Sequence, residues 1–147
     1  MDSPFYEFSM SEDATFYEFD SIGEEMTVRK QIKFSASQIP DFYWLALVDV
    51  LEDGSVSDSS RPRQGNVEKV LATVLQTMLA FFKRYPTASV AFSGSTDTRT
   101  RLYSVAIVRE LNNARDMFMI QGYIDGVFED YTPGRQYAGF AISLKSK

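Results

Sequence analysis

The clearest pattern in the chain is a strict alternation. Met26, Val28, Lys30, Ile32 and Phe34 alternate with Thr27, Arg29, Gln31 and Lys33, the period of a half-buried strand. Phe16-Tyr17-Glu18-Phe19 alternates more weakly, and Ser21-Ile22-Gly23 marks a turn after it. Glu24-Glu25 reads as a hairpin tip. The run Phe42–Leu51 is apolar on both faces, which predicts a central strand. Asp49 interrupts it on the face shared by Leu45, Leu47 and Leu51, so it is the acid expected to be buried. Asp53-Gly54 is a turn signal, and Ser55–Gly65 is a polar connection.

The period then changes to that of a helix. Val67, Val70, Leu71, Val74, Leu75, Met78, Leu79 and Phe82 fall at i, i+3, i+4, i+7 spacing. Asn66 suits the N-cap, Lys83-Arg84 the negative end of the dipole, and Pro86 the stop. Ala88–Phe92 reads as a short buried strand, and Asp97 or Thr98 caps a second helix ending near Asn112-Asn113. That helix carries apolar residues on most of its circumference, so burial on more than one side is expected. Met117–Ile124, Val127–Phe128 and Gln136–Leu144 read as strands, with Thr132-Pro133-Gly134 a turn. The expected fold is α+β with order βββ-α-β-α-ββ: two main helices on a largely antiparallel sheet. Residues 1–13, rich in Ser, Asp and Glu, are expected to be loosely ordered, and residues 14–147 to form one domain.

Composition removes much chemistry. The 147 residues include no histidine and no cysteine, which excludes Ser-His-Asp and Cys-His catalysis, disulfides and the usual zinc ligands. No cofactor is expected. A net charge of −5 argues against non-specific binding to nucleic acid. The N-terminus lacks the basic and apolar regions of a signal peptide, and no apolar run is long enough to span a bilayer. A soluble cytoplasmic protein with no membrane partner is expected. Aromatic residues make up 14% of the chain, so rings must fill a core or line a surface. Tyr123, Phe128, Tyr131, Tyr137 and Phe140 fit core and cross-strand packing better than a stacking platform for bases. The string Phe5-Tyr6-Glu7-Phe8 returns as Phe16-Tyr17-Glu18-Phe19, which reads as two edge-type β segments or as an extension that copies the first strand.

One segment breaks a local rule. In Ser93–Arg101 a strand enters a Gly/Ser/Thr loop that opens a helix, where free N–H groups and the dipole favour an anion. Yet Arg99 and Arg101 stand in the first turn, where each is unfavourable by ~0.3–1 kcal/mol, so a negative group must compensate them. The loop is neither a Walker A loop nor a dinucleotide fingerprint. On a helical wheel Arg99 lies between Leu102 and Tyr103 with Ala106 on that side, while Arg101 falls nearer Ser104 and Val108. This assigns Arg99 to a structural ion pair with Asp49, or with another buried acid if that strand lies elsewhere, and Ser95, Thr96 and Arg101 to a ligand. Asp49, Glu52, Asp53 and Asp58 are weaker candidates for a hard cation, reading mainly as solvated turn residues.

The string Gly94-Ser95-Thr96-Asp97-Thr98-Arg99-Thr100-Arg101-Leu102-Tyr103 resembles the signature of a family of small bacterial proteins of unknown function. Further matches are Tyr17–Gly23, Lys69–Val74, Tyr85-Pro86, Phe128 and Tyr137–Phe140. The resemblance runs from Phe16 to Lys145. It implies a single domain, directs attention to the same loop and supplies no activity. In that family an Asp often stands at the position of Asn66.

Three functions compete on this reading. The first is a module binding phosphate, a nucleotide or a nucleic-acid backbone at loop 93–101. The second is a protein-interaction partner using an aromatic-rich surface. The third is a metal-dependent phosphoryl-transfer enzyme, which needs several acids converging near Arg101.

Overall fold

The computed structural model describes residues 4–23, 27–50, 53–54, 56–57, 67–92, 98–112 and 116–145, with the backbone alone at 56, 57, 67 and 98–104. The strands are β1 (Ser9–Met10), β2 (Phe16–Ile22), β3 (Thr27–Ala36), β4 (Phe42–Val50), β5 (Val56–Ser57), β6 (Ser89–Phe92), β7 (Phe118–Ile124), β8 (Val127–Asp130) and β9 (Gly139–Leu144). Helix α1 (Val67–Arg84) separates β5 from β6, and α2 (Thr98–Asn112) separates β6 from β7. The strands form one sheet in the order β1-β2-β3-β4-β6-β9-β7-β8, with β5 paired to β4. All pairings are antiparallel except β4 with β6. The α+β class and the largely antiparallel sheet are as the pattern predicts, and β4 lies inside the sheet. Glu24-Glu25 lies outside the described residues, between Ile22 and Thr27, the last pair of the β2–β3 ladder.

Both helices cover one face. Strand residues alternate in burial: Tyr17 and Phe19, then Ile32 and Phe34, then Leu45, turn towards the helices. Phe81 of α1 is the hub. Its ring stacks on Phe34 at 4.2 Å and meets Tyr43 and Phe82 edge-on, and Phe82 continues the contact to Phe118. The buried face of α1 is broader than the predicted stripe and is shifted. Phe81, Thr73 and Thr77 are fully buried, whereas Leu71 and Leu79 are only partly so. The threonines are tolerated there because each hydroxyl donates within the helix, Thr73 to the Lys69 carbonyl and Thr77 to the Val74 carbonyl.

The reason for the shift lies in the first copy of the repeat, which is not a strand. Tyr6 is buried against α1, and its N–H donates to Thr73 Oγ1 at 2.9 Å. The two copies pack on each other: Tyr6 stacks on Phe19, and Phe8 meets Tyr17 edge-on. Only the second copy is a β segment. In α2, Ile107, Val108 and Leu111 are buried, whereas Val105 is exposed. The described half of α2 is therefore buried on one side, not several.

The C-terminal strands fit round a glycine. A Cβ at Gly122 would lie 2.3 Å from the Tyr137 ring, so only glycine admits that side chain against β7. Asp125 (φ 52°) and Gly126 (φ 83°) form the two-residue turn from β7 to β8. The aromatic group of this region divides. Tyr137 and Phe140 are core and Tyr131 packs against it, but Tyr123 and Phe128 are exposed.

Candidate functional site

The one parallel pairing fixes the geometry of the site. Its register sets Phe42 beside Ser89 and Leu45 beside Phe92, so β4 and β6 end in the same direction. Phe81, near the end of α1, meets Tyr43 at the start of β4. Thr73, near the start of α1, meets Tyr6, which stacks on Phe19. Phe19 pairs with Lys30, and Lys30 pairs with Asp49 near the end of β4. Helix α1 thus runs back along β4, and its N-terminus lies at the Asp49 end. β6 leaves the sheet towards the same end, and α2 begins six residues after it. Ligand sites of open α/β sheets form outside the carboxyl ends of parallel strands, where helices start.

A buried ion pair forms the floor at this end. Lys30 Nζ donates to Asp49 Oδ1 at 2.5 Å, and the two side chains are 7% and 6% exposed. Both sit on the helix-facing side of strands whose other inward residues are apolar. Tyr6 and Phe19 form the adjoining wall. The Tyr6 hydroxyl donates to the Ile22 carbonyl at 3.4 Å and accepts from the Ile22 N–H at 3.3 Å. The Lys69 ammonium, in the first turn of α1, lies 4.5 Å over the Tyr6 ring.

Asp49 is buried, as its place in the strand predicts. Ser95 and Thr96 lie outside the described residues. Arg99 and Arg101 belong to the first turn of α2, and their side chains lie outside the described residues. No acid stands in that turn to offset them. The wheel grouped Val108 with Arg101 away from the apolar side, but Val108 is fully buried. Position 101, seven residues earlier, is therefore in phase with the buried stripe of α2. Lys30 is the site residue that sequence reasoning missed. Its signal was present, since it holds an inward position in the alternation of β3. Asp53 is exposed, while Glu52 and Asp58 lie outside the described residues. Among the described residues no three acidic side chains are placed to hold a metal ion, and no described helix is long and apolar enough to cross a membrane.

Residues 2–145 match a family of unknown function, DUF6934. The chain belongs to that family. The matched residues span β1 through β9 and both helices. Comparison with curated proteins and with solved structures gave no match.

Proposed function

We propose that the carboxyl end of the β4–β6 pair is an anion site, and that its ligands carry phosphate. The observation that supports this reading is the buried Lys30–Asp49 pair at the end where both helices begin. Two helix N-termini favour negative charge there, and the Lys30–Asp49 pair, neutral as a whole, leaves that field uncancelled. Ser95 and Thr96 are the proposed backbone donors. The two arginines of α2 divide the remaining work, one pairing with Asp49 and the other meeting the ligand. The wheel gives Arg99 to Asp49 and Arg101 to the ligand. The phase of Val108 makes Arg101 the competing partner for Asp49.

Amide spectra recorded during addition of inorganic phosphate, and separately of a nucleotide, test the site. Shifts centred on Ser95, Thr96 and Asp97 are expected, and they should weaken as salt is raised. One of Arg99→Ala and Arg101→Ala should abolish them while leaving stability within ~0.5 kcal/mol, as at an ordinary surface position. Absence of shifts at millimolar ligand, or shifts confined to other parts of the chain, would rule the site out.

A further inference from the structure

The face of the sheet opposite the helices carries an apolar strip. Trp44 on β4, Met119 and Tyr123 on β7 and Phe128 on β8 are 43%, 42%, 39% and 47% exposed. The strip has relief. The register aligns Trp44, Ala91, Ala141, Gln121 and Asp130 in one row across β4, β6, β9, β7 and β8. Ala91 and Ala141 are small and buried, so the centre is a low floor between a ridge on β4 and a ridge on β7 and β8. Tyr123 and Phe128 form the second ridge with rings 5.0 Å apart.

The flanks of the strip differ in charge. On β3, Lys33 is exposed on this face, its ammonium 5.8 Å over the Phe16 ring. On β8, Asp130 is exposed on the same face, opposite Gln121. Neither makes an ion pair with another described residue. Beyond the Arg29–Glu18–Asp20 group on β2 and β3, the face thus has a cation along one side and an anion along the other with no ion-pair partner among the described residues.

We propose that this face binds a second copy of the chain, as a two-fold pair of stacked sheets. An axis parallel to the strands, between β6 and β9, carries each strand onto a complementary one. By the strand order, β6 then lies over β9, β4 over β7 and β3 over β8. Ala91 meets the Ala141 floor at the axis, and Trp44 enters the partner's Met119 and Tyr123 ridge. The register sets Lys33 in the row of Tyr123 and Phe128, so it lies over Phe128 of the second copy. Its side chain runs two residues (~7 Å) along the strand to reach that copy's Asp130. An isologous contact of this kind makes every favourable pair twice. Aligned sheets stack ~10 Å apart with inner side chains interdigitating, which ridges beside a low floor permit. Six strands at ~4.8 Å spacing make the face about 24 Å wide. An unrelated partner has no reason to match the opposed flanks in this order.

Sedimentation of the full chain at micromolar concentration tests the pair. The wild type is expected to sediment as a dimer, and Ala141→Glu, at the axis, as a monomer with an unchanged circular dichroism spectrum. Lys33→Glu and Asp130→Lys alter exposed residues, and each alone should weaken the dimer roughly tenfold. An equimolar mixture of these two variants restores both contacts in the mixed pair, so the dimer should return on mixing. A wild type that stays monomeric at high micromolar concentration overturns the proposal. So does a dimer that survives Ala141→Glu. Charge variants that weaken the dimer without recovery on mixing also overturn it, because another partner or another face is then in use.

Discussion

At the scale of single residues, Lys30 and Asp49 carry the largest electrostatic stake in the fold. Their side chains are almost fully buried and joined by a direct hydrogen bond. Removing one partner leaves a buried charge, so Asp49→Ala is expected to cost ~3–5 kcal/mol. Lys30→Met combined with Asp49→Leu should recover most of that loss, since an apolar pair of similar volume avoids desolvation. Urea melts of the singles and the double give the coupling. The same cycle run with Arg99→Ala and Arg101→Ala shows which arginine shares Asp49: that one should couple with it, and the other should not. Tyr17 presents the reverse case. Its ring is fully buried, and its hydroxyl has no hydrogen-bond partner among the described residues. Burial, with the charges of Tyr85 and Asp13 adding to it, holds the phenol above its ordinary pKa. Tyr17→Phe is therefore expected to stabilise the protein by about 1 kcal/mol. The folded-state pKa lies above the unfolded one, so the wild type loses stability as pH rises beyond ~10, and its gap from Tyr17→Phe should widen there.

At the scale of elements, α1 is the main core helix. Leu75 is buried on it, whereas Leu71, equally placed in the apolar pattern, is only partly covered. Leu75→Ala should cost ~2–5 kcal/mol through the cavity it leaves, and Leu71→Ala clearly less. Equal costs in denaturant melts would mean that the buried face is the predicted stripe and not the shifted one. The existence of α1 was legible because its period, its terminal charges and Pro86 all agreed. Its exact orientation was not. Thr73 and Thr77 turn inward because Tyr6 and the sheet cover that side, and no local pattern announces a segment arriving from 67 residues away. The repeated Phe-Tyr-Glu-Phe string is explained at this scale too. Its two copies are partners in one aromatic cluster, which a reading as two strands could not reveal.

At the scale of the whole molecule, placing both helices on one face has two consequences. The order β4-α1-β6-α2 brings two helix starts and the Lys30–Asp49 pair to one end of the sheet. It also leaves Trp44, Met119, Tyr123 and Phe128 exposed on the other face. An anion at the first and a second chain on the other face would occupy separate places. Disrupting the dimer by Ala141→Glu should therefore leave phosphate-induced shifts in place, and Arg99→Ala or Arg101→Ala should leave the sedimentation unchanged.

Local chemistry by itself determined the class of this protein. Alternation in Val28–Phe34, the two-sided apolar run from Phe42 and the helical period from Val70 define strands and helices because each depends on residues a few positions apart. The burial of Asp49 was legible for the same reason: its neighbours on the strand are apolar. The partner of Asp49 was decided by the tertiary structure. Lys30 lies 19 residues away, and only the β3–β4 register places it opposite. Tertiary structure also decided which rings are core. Tyr137 is buried because it lies over Gly122, and Tyr123 is exposed because the helices cover the other face. Period two tells which residues share a face of a strand, but not which face the helices will cover. That choice is made by the packing of α1 and α2, and with it the location of both proposed binding surfaces.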